Sequence, residues 1–257
     1  MVVLMSASPV IMIMGPPGSG KGTQALELHQ RYGFEQIETG AIFRQISTEA
    51  SAEGRELKAR MNAGRFASPL FAARLVIGEA ERLLKRGKGI VFDGSPRTLH
   101  EAELLLAALR RKRAARILVI FLEVLEQETV RRIVNRWACE GCEHLSPGAA
   151  ESPEACAACG GKLMRRADDT VEVAKERWEE YTFRTLPVIQ YFERQGFVVR
   201  VDGNQSLQDV SVETKQRVAE FFGFPPTRPP SSGRAGTRFP PTRPPSGGTK
   251  LGTRLSR

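Results

Sequence analysis

The stretch Gly15-Pro16-Pro17-Gly18-Ser19-Gly20-Lys21-Gly22-Thr23-Gln24 constrains this chain more than any other. It follows the apolar run Val10–Met14, long enough for one buried strand, and leads into Thr23–Leu28, which reads as the first turns of a helix. Strand, glycine loop, lysine and helix start, in that order, make a phosphate cradle. Glycines let backbone N–H groups turn inward on a polyphosphate, and the helix N-terminus adds its partial positive charge. Lys21 can then reach the outer phosphates as a mobile point charge. An ordinary glycine turn is the competing reading, and it does not account for so many matched positions in this context. The chain reads as a binder of a nucleoside triphosphate.

The rest of the pattern fits around that loop. Gly89–Asp93, Arg116–Leu122 and Gly196–Val201 are short apolar, β-branched runs flanked by helical patterns, as buried parallel strands usually are. Phe34–Ile37 is a weaker strand candidate after the first helix. Helical periodicity runs through Ser68–Arg86, where Ser68-Pro69 supplies an N-cap and a proline at the first helical position, and recurs in Leu99–Arg110 and Val171–Gln195. This alternation predicts a doubly wound α/β fold of the P-loop type.

A formal charge of +9 suggests a nucleic-acid partner until it is located. Seven basic residues with no acidic one lie in 225–257 (Arg228, Arg234, Arg238, Arg243, Lys250, Arg254, Arg257), leaving +2 for the remainder. The folded body therefore gives no support for a nucleic-acid surface. The sequence Phe-Pro-Pro-Thr-Arg-Pro-Pro-Ser occurs at 224–231 and again at 239–246, embedded in Gly, Ser, Thr and Arg. Such a composition cannot bury a core, so 224–257 is expected to be a disordered basic tail, dispensable unless it docks to an acidic partner, nucleic acid or a proline-binding domain. Met1–Met14 is apolar but lacks the basic region and cleavage site of a signal peptide, and no segment reaches about 18 uninterrupted apolar residues. A cytoplasmic protein without a membrane partner is expected.

Asp93 ends a strand candidate, the place of a carboxylate that organises Mg²⁺ through its waters. Six arginines stand where phosphoryl transfer would want them: Arg44 after Thr39-Gly40, Arg97 after Asp93-Gly94, Arg132 and Arg136 four apart on a helix, Arg166 before Asp168-Asp169, and Arg177 in the next helix. Planar guanidiniums match the equatorial oxygens over which a transferred phosphoryl spreads its charge. Any one of them alone is more readily a solvated surface charge.

Together these residues resemble the adenylate kinases, in the form with a zinc-bearing lid. Gly15–Gln24 is similar to the family P-loop, with Gly22 between Lys21 and Thr23 where most P-loops place Ser or Thr directly after the lysine. Thr39-Gly40…Arg44 resembles the acceptor-nucleotide segment, Asp93-Gly94-Ser95-Pro96-Arg97-Thr98 the central signature, Arg132–Arg136 the lid entrance and Arg166–Asp169 with Arg177 the lid exit. The resemblance runs from about Val10 to about Phe222 and does not cover the tail. It implies a kinase domain over 1–223, with a core of five parallel strands, a helical acceptor region near 39–70 and a lid near 137–166. It also implies reversible phosphoryl transfer from MgATP to AMP. Gly15, Gly18, Ser19, Gly20, Lys21, Gly22 and Thr23 would hold the donor phosphates. Arg132 would pack on the donor adenine, while Arg136 and Arg166 would clamp its phosphates. Arg44 and Arg97 would grip the acceptor phosphate, with Thr39 and Gly94 lining the pocket, Arg177 acting at the transfer site and Asp93 ordering the metal waters. A monomer is expected.

Cys139-Glu140-Gly141-Cys142 and Cys156-Ala157-Ala158-Cys159 form two knuckles separated by 13 residues, slightly tighter than the usual range. Soft sulfur selects Zn²⁺ in a closed structural site, and disulfides are disfavoured in a cytosolic enzyme. His144 lies between the knuckles and is expected to be a surface residue, since four thiolates fill the shell. Three departures from the family pattern fall in the acceptor half. Ala41 stands where the family has an acidic residue, Ser95 where it has Phe, and Glu101 where a Gln reads the acceptor adenine. An ionised Glu can only accept hydrogen bonds and would suit the N1–H and N2–H₂ of guanine better than adenine, unless it points to solvent. The competing functions are thus a paralogue that takes GMP and a catalytically weak nucleotide-binding scaffold.

Overall fold

The computed structural model describes residues 8–62, 68–111, 115–142, 145–146, 154–166 and 168–225. Two strips of apolar side chains leave opposite faces of one strand, β1 (Ser8–Met14), and decide the layering. Val10, Met12 and Met14 enter one core, Ile11 and Ile13 another. Successive side chains of a strand point to opposite faces, so a continuous apolar run requires cover on both.

The sheet has the order β2-β3-β1-β4-β8, all parallel, with β2 (Glu35–Glu38), β3 (Ile90–Asp93), β4 (Ala115–Glu123) and β8 (Val198–Asp202). One face is covered by α4 (Pro69–Lys85), α5 (Leu99–Arg111) and α8 (Leu186–Arg194), which bury Val76, Leu105 and Phe192 against Met12, Phe92 and Val119. The other is covered by α1 (Lys21–Tyr32) and α9 (Leu207–Phe222), which bury Leu28 and Val218 against Ile13, Val91 and Ile120. The predicted five-stranded P-loop architecture is the one observed. The expected N-cap of α4 is also present, with Ser68 Oγ accepting from the Phe71 N–H at 3.2 Å. After β1 the chain leaves for the edge strand β2 and returns to β3, so β1 lies at the reversal of strand order. In open α/β sheets the ligand crevice opens there, beyond the carboxyl ends of the strands.

Two further units border that crevice. α2 (Thr39–Ser47) and α3 (Ala52–Asn62) follow β2 directly. α6 (Glu126–Asn135) leads into a small antiparallel sheet of order β6-β5-β7, made of β5 (Trp137–Cys139), β6 (Leu145–Ser146) and β7 (Leu163–Met164), from which α7 (Val171–Glu180) returns. The single helix expected over 171–195 is interrupted by a π-helical turn at Tyr181–Thr185. Pro187 is the reason. It has no N–H to give the Phe183 carbonyl and its ring crowds that oxygen, and the preceding Leu186 N–H bonds five residues back to the Tyr181 carbonyl.

Phe224, which composition assigns to the tail, belongs to the body. Its ring stacks on Tyr32 at 5.0 Å and on Phe222 at 5.6 Å, and lies 6.2 Å from Phe34. Residues 226–257 and His144 lie outside the described residues. No helix among the described residues is long and apolar enough to cross a membrane.

Candidate active site

The loop after β1 is shaped by what surrounds it. At Gly15, with φ of 151°, an added Cβ would lie 2.7 Å from the Leu122 carbonyl oxygen of the neighbouring strand, so only glycine lets the loop leave the sheet there. At Gly18 a Cβ would lie 3.1 Å from Ile133 Cγ1 and 3.6 Å from Arg132 Cβ, which places α6 directly over the loop. Gly20 caps α1 without a side chain, leaving the first amides of that helix at the crevice. The Lys21 ammonium folds along the loop and donates to the carbonyls of Gly15 at 3.0 Å and Pro16 at 2.7 Å and to Ser19 Oγ at 3.4 Å. Burial lowers its pKa to about 8; the Asp93 carboxylate opposes this, while the charges of Arg97 and Arg136 add to it. One carboxylate and two guanidiniums thus lie near enough to Lys21 for their charges to act on its proton.

Asp93 closes β3 opposite Glu38 of β2. Its Oδ2 accepts from Gln36 Nε2 at 3.5 Å and would lie 3.1 Å from a Cβ on Gly22, so the residue between Lys21 and Thr23 is one that leaves room for this carboxylate. Burial holds Asp93 above the usual carboxylate range; Lys21 opposes, the neighbouring Glu38 charge adds, and Arg97 and the Gln36 amide oppose in turn.

Arg97 is exposed, with its Nε donating to the Gly94 carbonyl at 2.8 Å. Glu101, expected either to read a base or to face solvent, does neither among the contacts observed. It is 7% exposed, and its Oε2 accepts from the Arg97 N–H at 2.7 Å while its own N–H donates to Thr98 Oγ1 at 3.3 Å. The spacing Thr98-x-x-Glu101 is that of a helix capping box, a local demand that sequence comparison with the family signature obscures. Ser95 is buried beside this turn.

Arg132 and Arg136, expected four apart on a helix, diverge because α6 stops at Asn135 and Arg136 follows it in an extended conformation. Arg132 donates to Glu128 Oε1 at 2.6 Å and to the Gly203 carbonyl at 2.7 Å, spanning the loop after β8. Arg131 and Arg132 together hold the Glu128 carboxyl down to about 2. Arg136, at the end of α6, makes a two-bond pair with Asp169 at 2.6 Å on each arm, and Arg177 reaches the same Asp169 at 3.4 Å and Asp168 through its other nitrogen. Asp169 therefore gathers two of the predicted arginines at the base of the small sheet. Arg166 is exposed next to this knot; desolvation works against ionisation of Asp168, but Arg177 first, then the Asp168 N–H and last the Arg166 charge hold its carboxyl below the usual range. The Thr39 hydroxyl is buried with no hydrogen-bond partner among the described residues, and the Arg44 side chain lies outside them. Gln36, Glu128 and Asp169 were not assigned from the sequence. Only Asp169 left a signal there, in the Asp168-Asp169 pair.

The two knuckles converge. The sulfurs of Cys139, Cys142, Cys156 and Cys159 all lie within 4.8 Å of one another, with Cys139–Cys159 at 3.4 Å, Cys142–Cys156 at 3.7 Å and Cys142–Cys159 at 3.3 Å. All four are free thiols. Four sulfurs about 2.3 Å from one tetrahedral ion stand about 3.8 Å apart, so the cluster fits a metal. The backbone N–H groups of Cys142 and Gly141 lower the Cys139 thiol to about 7, toward the thiolate a metal needs. The knuckles rest on a cluster of Leu163, Trp137 and Ala158, and the Arg165 guanidinium lies 4.5 Å from the Trp137 ring.

A model of the adenylate kinase family matches residues 13–197. The chain is 38% identical to an adenylate kinase of Chlamydia pneumoniae over 214 residues, covering 81% of this chain and 96% of that one. It is 38% identical to one of Novosphingobium aromaticivorans over 205 residues, 78% and 94% of the two chains. To one of Methanosarcina barkeri it is 35% identical over 216 residues, 82% and 99%. The matched span starts in β1 and runs past the cysteine knuckles to the loop before β8, and at these identities over nearly the full length of the relatives, the chain belongs to the adenylate kinase family.

Proposed function

We propose that the protein transfers the γ-phosphoryl group of MgATP reversibly to AMP, giving two ADP. The observation that carries this reading is the convergence on Lys21. Its ammonium sits in a glycine loop at the reversal of strand order, within electrostatic reach of Asp93, Arg97 and Arg136. Three cations around one half-buried carboxylate suit the charge that develops in phosphoryl transfer.

In this reading Lys21 and the amides of the Gly15–Thr23 loop hold the β- and γ-phosphates of the donor. Arg132, tied across to Gly203, forms a wall for the donor adenine. Arg136 and Arg177 keep Asp169 and turn their remaining N–H groups, together with Arg166, to phosphate oxygens as the small sheet closes over the donor. The Asp169 pairs hold Arg136 and Arg177 preorganised, so little reorganisation is left for the transfer itself. Arg97 and Arg44 grip the acceptor phosphate, and Thr39 and Gly94 line its pocket. An oxygen of that phosphate attacks the γ-phosphorus while the bond to the β-phosphate oxygen breaks. No general base is required, because the attacking group is already an anion. Positioning and charge stabilisation account for the rate, and closure keeps water from the γ-phosphate.

Two metals fit the residues present. Mg²⁺ bound with ATP would neutralise developing charge on the bridging oxygens, and Asp93, half-buried beside Gly22 and steadied by Gln36, is placed to hold its waters. The four sulfurs suit Zn²⁺, which would supply much of the folding energy of a unit too small for its own core and take no part in the chemistry. The test is a coupled ADP-formation assay with MgATP and, in parallel, AMP, GMP, CMP and UMP. Turnover with AMP alone supports the reading, turnover mainly with GMP replaces the acceptor, and silence with all four leaves only nucleotide binding.

A further inference from the structure

Three separate parts of the chain meet on one residue, Arg97. From the start of α5, Glu101 accepts the Arg97 N–H at 2.7 Å. From the end of the π-helical turn, Thr185 Oγ1 donates to the Arg97 carbonyl oxygen at 3.4 Å, across 88 residues of chain. From its own turn, the Gly94 carbonyl accepts the guanidinium Nε at 2.8 Å. Both faces of the Arg97 backbone are thus held from outside the signature, and its side chain is held from within it.

Two of these contacts are made against a local preference. Glu101 is buried, and burial holds its carboxyl above the ordinary range against the opposing Arg97 and Thr98 contacts. A side chain with only acceptors when ionised is matched to a backbone N–H, which has only a proton to give. Thr185 reaches Arg97 from a turn that departs from α-helical geometry. Widening one turn shifts the phase of the helix beyond it by about one residue, roughly 100°. The same continuous rod carries Arg177, so the Asp169 knot and the Thr185 contact are fixed relative to one another.

We propose that Glu101 and Thr185 are positioning residues that clamp the Arg97 backbone, presenting its guanidinium to the acceptor phosphate. Glu101 is then committed to the backbone and does not select the acceptor base. This rests on the reading of Arg97 as an acceptor-phosphate ligand, and the experiment separates the two.

Steady-state kinetics with AMP and with GMP are measured for Arg97→Ala, Glu101→Ala, Glu101→Gln, Thr185→Val and Thr185→Ser, with thermal unfolding as a check on folding. Glu101→Ala removes the carboxylate that accepts the Arg97 N–H and raises the KM for AMP about tenfold with the KM for ATP unmoved. Glu101→Gln, which still offers an oxygen to the Arg97 N–H, recovers most of that loss and leaves the AMP-to-GMP preference where it was. Thr185→Val, nearly isosteric but without a donor, raises the AMP constant about threefold to fivefold, and Thr185→Ser restores it. If Arg97→Ala does not raise the AMP constant, the underlying reading of Arg97 fails. If it does, while folded Thr185→Val behaves as wild type, the clamp fails alone. A tenfold swing in base preference in Glu101→Gln also overturns it, by making Glu101 a base reader. The Thr185 pair keeps the proposal testable should Glu101→Ala not fold.

Discussion

Raising the pH from 7 to 9.5 is expected to weaken MgATP binding through a single proton on Lys21. Desolvation of the buried ammonium lowers its pKa to about 8, with Asp93 opposing and Arg97 and Arg136 pushing the same way. A triphosphate laid on the loop brings negative charge beside the ammonium and favours its protonated form, so the bound state holds the proton more tightly than the free state. Affinity is then flat below about pH 8 and falls by up to tenfold per unit above it. At pH 9 about one-tenth of the free protein carries the proton, which makes the dissociation constant about tenfold weaker, or about 1.4 kcal/mol. For stability the sign is opposite. The unfolded lysine binds its proton up to about 10.5 and the folded one only to about 8, so this group makes the free protein more stable as pH rises between the two. Calorimetric titration of MgATP in two buffers of different ionisation enthalpy reads both the constant and the proton. Uptake approaching one proton near pH 9 is expected, and none for Lys21→Arg, which stays charged throughout. A wild-type constant unchanged from pH 7 to 9.5, with no proton uptake, would refute the argument.

Further substitutions probe the close approaches. Gly22→Ala should raise the melting temperature slightly, through about 0.5–1 kcal/mol of helix propensity, yet lower Mg²⁺-dependent turnover, because its Cβ would stand 3.1 Å from Asp93 Oδ2. Magnesium titration of the reaction rate checks this. Gly161→Ala places a Cβ 3.1 Å from Cys139 Sγ and 3.2 Å from Cys159 Sγ, and should weaken zinc retention about tenfold against a chromogenic chelator. Phe224→Ala should cost about 1–3 kcal/mol in denaturant unfolding through loss of its contacts with Tyr32, Phe34 and Phe222, whereas removal of 226–257 should leave turnover unchanged.

What could be read from the sequence was whatever a few consecutive residues encode. The loop after β1 is legible because its glycines, its lysine and the adjoining helix must be contiguous to form an anion site. The two cysteine knuckles are legible because each pair of ligands lies within one turn. Strand runs such as Ile117–Leu122 announce themselves because both faces of the sheet are covered and every position must be apolar. Tertiary structure alone decided which distant groups these meet. Asp169 gathers Arg136 from 33 residues away, Gln36 reaches Asp93 across 57, Arg132 finds the Gly203 carbonyl across 71, and Thr185 meets Arg97 across 88. Phe224 is apolar but sits in a composition that reads as unfolded, and only the Tyr32–Phe34–Phe222 cluster brings it into the body. Glu101 stands where the resemblance places a base-reading Gln, and the capping geometry of α5 turns it to the backbone instead. A periodic pattern fixes which face of an element is buried. The phase and register with which two elements pack are settled only when the whole core closes, and those set every one of these contacts.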